Sequence, residues 1–235
     1  MADIEGNLAE IKKRIADAAK RSGREAEDIT LVAVTKTHPA EMINEAIDCG
    51  VTDIGENKVQ EITEKYDKVK KGVRWHLIGH LQTNKVKYII DKVYMIHSVD
   101  SVRLMDEIER QAEKHQVQKV KILIQVNISG EETKFGTDIE GLDELLRHAG
   151  ELKHVSVCGL MTILPKIDTT VSNRLHFHNI YNKFIDISGR TYDNVAMEFL
   201  SMGMSGDFEM AIEEGSNMVR IGTAIFGERD YVKNL

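Results

Sequence analysis

Lys36 closes the apolar run LVAVTK (31–36) and is followed by Thr-His-Pro. Burial favours the neutral amine, lowers a lysine pKa and makes the side chain a nucleophile toward an aldehyde or ketone. The alternative is a lysine whose stem lies along apolar surface while its head reaches water. Toward the other end, SMGMSGD (201–207) puts Ser201 and a glycine at the end of a strand-like run. Ser205 or Asp207 is then placed to cap the helix-like FEMAIEEG. In VRIGTAIFG (219–227), Gly222 permits close main-chain approach to a ligand and Thr223 follows it with a hydroxyl. Ser205, Gly222 and Thr223 are candidate phosphate ligands, although Ser-Gly and Gly-Thr pairs also serve as ordinary turns and caps.

Arg220 is a permanent cation inside an apolar run, and a buried guanidinium needs a hydrogen-bonding partner. A heteroaromatic ring nitrogen would serve, and so would a carboxylate such as Glu198 or Glu213. An amine-reactive carbonyl, a phosphate and a ring nitrogen together describe pyridoxal 5′-phosphate, which is held by a Schiff-base lysine and an Asp or Arg near its pyridine nitrogen.

These residues need elements to position them. Eight short apolar runs rich in β-branched residues read as strands: 31–36, 53–56, 75–80, 93–99, 120–127, 155–163, 197–203 and 218–227. Helical periodicity fills 40–49, 57–70, 83–91, 101–115, 138–149, 171–188 and 207–214, so each strand but the last is followed by a helix. Ile4, Leu8, Ile11, Ile15 and Ala18 put an amphipathic outer helix ahead of them. Eight such units suit a single (β/α)8 TIM barrel over residues 1–235 with an extra N-terminal helix; a doubly wound open sheet has the same periodicity. Barrel sites assemble where strands end, which is where Lys36, Asn57, Met161, Ser201, Arg220, Gly222 and Thr223 fall.

Composition narrows the function classes. A net charge of −7 offers no footprint for a nucleic-acid backbone. No stretch approaches 18 apolar residues and the first 25 residues carry no export signal, so no membrane partner is expected. Cys49 and Cys158 stand alone, consistent with a reducing cytoplasm. No metal site is expected: His76 and His80, four apart on one strand face, would lie about 13 Å apart, and His176 and His178 point apart on a helix.

Read together, LVAVTKTHP, DIGENKVQE, WHLIGHLQTNK, IHSVDS, QVNISGEETKFG, GLMTI and LSMGMSGDFEMAIEEGSNMVRIGTAIFG resemble the pyridoxal phosphate homeostasis protein family, which is similar to the N-terminal barrel domain of alanine racemase. That resemblance implies pyridoxal 5′-phosphate as cofactor, held as a Schiff base on Lys36. It places Ser205, Gly222 and Thr223 on the phosphate, Arg220 at the pyridine nitrogen, and Asn57 and Met161 beside the cofactor; Ser201 joins them as a candidate cofactor-binding residue. The segment carrying His80, Gln82, Asn84 and Lys85 is a family signature without an assigned chemical role. Pro165 departs from the variable acidic stretch expected after GLMTIL.

Racemisation needs acid/base groups on both faces of the cofactor, and in the racemases the second is a tyrosine from a separate domain. The eight units consume this chain, and its six tyrosines read as packing or surface. An arginine at the ring nitrogen also stabilises a carbanion less than an aspartate would. The expectation is a monomeric, non-catalytic cytoplasmic carrier serving vitamin B6 homeostasis, with cofactor-requiring apo-enzymes as possible recipients. The rival readings are a racemase-type enzyme using the same cofactor and a cofactor-free Schiff-base aldolase. Whether Lys134 or Lys233 holds the cofactor transiently is open.

Overall fold

The structure is a computed structural model that describes residues 2–128, 135–164 and 170–227. Lys134, Pro165, Lys233 and Tyr231 lie outside the described residues. The eight strands are β1 (Thr30–Val34), β2 (Asp53–Glu56), β3 (Arg74–Leu77), β4 (Met95–Val99), β5 (Val120–Gln125), β6 (Val155–Met161), β7 (Val195–Ser201) and β8 (Met218–Ile221). All pair in parallel in chain order, and β8 returns to β1, so the sheet closes into a barrel. The TIM barrel expected from the periodicity is therefore the fold, and the open sheet is not.

Closure explains the continuous apolar runs. Parallel strands are covered by helices outside and by side chains inside, and β2, β4 and β8 are buried at every residue. Alternation then sorts the two faces. Outward-facing Ile54, Trp75, Leu77, Ile96, Leu200, Val219 and Ile221 join the large core beneath the helices. Inward-facing Val32, Met95, Leu123, Cys158, Met161 and Met218 form a small second core inside the barrel.

Helices α1 (Ile4–Arg21), α2 (Ala40–Asp48), α3 (Val59–Lys65), α4 (Val102–Lys114), α5 (Ile139–Ala149), α6 (Thr170–Ser188) and α7 (Phe208–Glu213) occupy the expected places. The α1 residues Ile4, Leu8, Ile11, Ile15 and Ala18 are all buried, as their spacing requires. Burial of each large aliphatic side chain contributes about 2 kcal/mol, enough to dock a helix outside the βα repeat. Arg14 pairs with Glu209 and Arg21 with Glu213, which ties α1 to α7.

Two units depart from the sequence reading. The third strand is followed by a 3-10 helix, Thr83–Tyr88, rather than an α-helix over 83–91. The eighth strand stops at Ile221, and Thr223–Phe226 forms a short helix, α8, where a strand to Gly227 was expected. An apolar run this short fits either period, so alternation alone does not separate them. The third strand also ends at Leu77, so His80 is not on its face: His76 points into the barrel, while His80 stacks on Phe135 at 3.9 Å between ring centroids.

Candidate cofactor site

At the carboxyl ends of β1, β2 and β8 lies a cavity of about 270 Å³, lined among others by Lys36, Asn57, Ser205, Arg220, Gly222 and Thr223. Six of the eight residues singled out from the sequence thus share one cavity, although they come from opposite ends of the chain. The pairing of Val32 with Arg220 and Ala33 with Ile221 brings the two ends together. The other two do not line it. Met161 is fully buried in the inner core, and Ser201 is buried behind Arg220, to which it is hydrogen-bonded.

Lys36 sits two residues past β1 in a turn whose next residue, Thr37, has φ +69°. A β-branched residue in the left-handed region is strained and persists only where neighbours hold it. The Thr37 N–H donates to Glu61 Oε2 at 2.6 Å, and the Thr35 N–H donates to the Gly55 carbonyl at 2.9 Å. Beneath the turn, the Lys65 ammonium donates to Glu61 Oε2 at 2.7 Å, to Glu56 Oε1 at 2.8 Å and to the Thr35 carbonyl at 3.1 Å. Glu56 Oε1 also accepts the Thr35 hydroxyl at 2.7 Å, while Oε2 is buried without a hydrogen-bond partner among the described residues. Burial pushes the Glu56 carboxyl up to about 7, against the opposing pull of Lys65 and Thr35. The sequence reading missed this cluster; its signal was Glu61 and Lys65 four apart along α3.

Asn57 follows β2 directly, and the loop after β3 crosses it closely. A Cβ on Gly79 would lie 2.4 Å from the Asn57 carbonyl oxygen, so only glycine admits this approach.

Arg220 is 3% exposed. Its Nη1 donates to Ser201 Oγ at 2.6 Å and its Nη2 to the Thr162 carbonyl at 2.8 Å. The carboxylate partners weighed from the sequence lie elsewhere: Glu213 binds Arg21 and Arg174, and Glu198 is exposed on β7. Burial draws the guanidinium down to about 10, which leaves it protonated at neutral pH. Two donors are committed to the barrel wall, and the fork has others to offer a group in the cavity.

Ser205 does not cap α7. Its Oγ accepts the N–H of Gly222 and of Ala224, each at 3.4 Å, while Asp207 accepts the Met204 N–H at 2.6 Å. These long contacts draw two main-chain amides and a hydroxyl to one corner beside Thr223. Such a cluster of donors suits an anion.

A closed parallel barrel, with an amine after the first strand and an anion corner after the last two, defines a class: (β/α)8 barrels suited to an anionic carbonyl ligand. Residues 6–230 match the family model described as alanine racemase, N-terminal domain. The chain is 47% identical over 225 residues to a pyridoxal phosphate homeostasis protein of Aquifex aeolicus, covering 95% of this chain and 97% of that one. A protein of the same name from Escherichia coli K12 is 40% identical over 237 residues, covering 99% and 100%. The solved structure of PipY from Synechococcus elongatus with PLP bound superposes with a TM-score of 0.83 at 30% identity, covering 96% of this chain and all of that one. The chain therefore belongs to the alanine racemase N-terminal domain family and, within it, to the pyridoxal phosphate homeostasis proteins.

Proposed function

We propose that this chain holds pyridoxal 5′-phosphate reversibly and keeps the free aldehyde low, as a carrier rather than an enzyme. The supporting observation is the convergence of Lys36 with Ser205, Gly222 and Thr223 on one cavity whose wall includes Arg220. In this reading the Lys36 amine condenses with the aldehyde carbon and releases water. The Ser205 corner receives the phosphate, Arg220 donates to the pyridine nitrogen, and Asn57 flanks the ring. Met161 and Ser201 act from behind, Met161 by packing and Ser201 by holding Arg220. The bound cofactor supplies an electron-withdrawing ring able to stabilise a carbanion, a capacity a carrier leaves largely unused.

Two features favour a carrier. No tyrosine is among the described residues lining the cavity, so no second acid/base group of that kind faces Lys36 there. Arg220 keeps its own proton and gives the ring no full positive charge. The recipients in this reading are cofactor-requiring apo-enzymes, and the working form is a cytoplasmic monomer.

Borohydride reduction of the loaded protein followed by peptide mapping tests the assignment. One pyridoxyl adduct is expected, on Lys36, and Lys36→Ala abolishes it without loss of fold. An adduct elsewhere, or none, overturns the reading. Loaded protein incubated with single L-amino acids in deuterated water is expected to show no α-proton exchange at turnover rates; rapid exchange would establish an enzyme.

A further inference from the structure

Below the cavity a line of polar side chains crosses the barrel interior. Asp53, His76, His97, Ser201 and Arg220 point inward from β2, β3, β4, β7 and β8, since their strand neighbours pack outward. None is more than 3% exposed. Arg220 Nη1 donates to Ser201 Oγ, which lies 3.2 Å from His97 Nδ1. His97 Nε2 lies 2.9 Å from His76 Nδ1, and His76 Nε2 lies 2.8 Å from Asp53 Oδ1. The other Asp53 oxygen accepts Arg74 Nη2 at 2.6 Å and the Thr52 hydroxyl at 2.7 Å.

Hydrogen-bonding capacity sets the direction of this chain. A guanidinium only donates, an ionised carboxylate only accepts, and a neutral imidazole has one N–H and one acceptor nitrogen. Burial favours the neutral form of both histidines, and the hydrogen bonds from His76, Arg74 and Thr52 keep Asp53 ionised. Asp53 therefore requires the His76 hydrogen on Nε2. His76 Nδ1 is then an acceptor, which requires the His97 hydrogen on Nε2 as well. His97 Nδ1 in turn accepts the Ser201 hydroxyl, whose oxygen presents its lone pair to Arg220. Every hydrogen points from Arg220 toward Asp53.

We propose that Asp53 is a positioning residue for the ligand site: through the one-way chain of His76, His97 and Ser201 it orients the Arg220 guanidinium toward the pyridine nitrogen. The inference rests on the proposed binding of pyridoxal 5′-phosphate. Its physical content is that Ser201, with its own hydrogen committed to His97, always offers Arg220 an acceptor. Reversal of the chain would make Ser201 accept from His97 and Arg220 together and leave its own hydrogen without the His97 acceptor.

Asp53→Asn is built to cause that reversal. Arg74 donates, so it takes the amide oxygen and leaves the NH2 group facing His76 Nε2, which must then accept. Long-range ¹H–¹⁵N spectra of the wild-type protein, recorded without cofactor, are expected to show both histidines neutral with hydrogen on Nε2. Asp53→Asn is expected to move both hydrogens to Nδ1 and to weaken pyridoxal phosphate binding about tenfold, the size of one misdirected charged hydrogen bond. Ser201→Ala severs the chain, so it should weaken binding similarly and leave Asp53→Asn nothing to add.

A second pair covers the case in which Asp53→Asn does not fold. His97→Gln can donate to His76 and accept from Ser201, so it should keep affinity within about twofold, whereas His97→Leu should lose about tenfold. Either histidine carrying its hydrogen on Nδ1 in the wild-type protein overturns the proposal. So do reversed tautomers with unchanged affinity, additive losses in the double variant, or equal losses in the two His97 variants. Absence of any pyridoxal phosphate binding by the wild-type protein would instead overturn the ligand assignment and this inference with it, whatever the tautomers.

Discussion

Glu61 Oε2 lies 2.6 Å from the main-chain nitrogen of Thr37, the residue after Lys36, and the same oxygen takes the Lys65 ammonium at 2.7 Å. The strained turn that presents the amine is thus anchored to a buried ion cluster. Lys65→Met leaves Glu56 and Glu61 without their cation, and removing one partner of a buried pair costs about 3 kcal/mol. Urea denaturation at neutral pH is expected to show a loss of that size, with weakened cofactor binding. A variant as stable as the wild type would detach the cluster from the turn.

Ser205 gathers the Gly222 and Ala224 amides. If that corner receives phosphate, Ser205→Ala lowers affinity for pyridoxal phosphate about tenfold, the loss of one charge-assisted hydrogen bond. Affinity for pyridoxal, which lacks the phosphate, should be nearly unchanged. Equal losses for both ligands in an absorbance titration would move the phosphate elsewhere.

Glu56 titrates near 4.5 when unfolded and about 7 when folded. Between those values the folded state holds a proton that the unfolded chain has released, so this group's contribution falls as pH rises through the window and is flat above it. Glu56→Gln does not titrate. Its stability relative to the wild type should therefore improve by on the order of 3 kcal/mol from about pH 4 to about pH 8. A difference independent of pH would show that folding leaves the Glu56 carboxyl at its ordinary value.

The two buried histidines have the opposite sign. His97 is held well below 6.5 and His76 below it, chiefly by burial. The unfolded chain binds protons below about pH 6.5 that the folded state refuses, so stability present above that pH is lost as pH falls. Each histidine contributes a slope of up to about 1.4 kcal/mol per pH unit. His97→Gln should flatten the acid limb of a urea midpoint plotted against pH, and an unchanged limb would count against a neutral His97.

Gly79 is where the loop after β3 crosses Asn57. Gly79→Ala places a methyl group against main-chain atoms that cannot swing aside, at a cost of about 1–3 kcal/mol. Calorimetry should show a lower melting temperature, with the cofactor absorbance band weakened because Asn57 is displaced. Full stability would mean that the loop can retreat.

Much of this architecture was legible in the residue order. Apolar runs of strand length alternating with helical periodicity gave the barrel, and strand-end residues such as Lys36 and Gly222 pointed to one cavity. The third and eighth units were misread where a helix of one or two turns leaves too little period to measure. The polar column was harder to see. His76 was weighed against His80 in its own segment, whereas its partner is His97 on the next strand. Single polar residues within apolar runs, Asp53, His76, His97 and Arg220, were the available signal. Only strand order and register say that they meet.

The seam between β1 and β8 also bears on biosynthesis. The ribosome delivers Lys36 well before the Gly222/Thr223 corner, and the two become neighbours only when the eighth strand docks on the first. If that corner anchors the ligand's charged tail, a nascent chain carries the Lys36 amine long before it has the anchor. In the proposed reading, capture of cofactor is deferred until translation has passed the eighth strand.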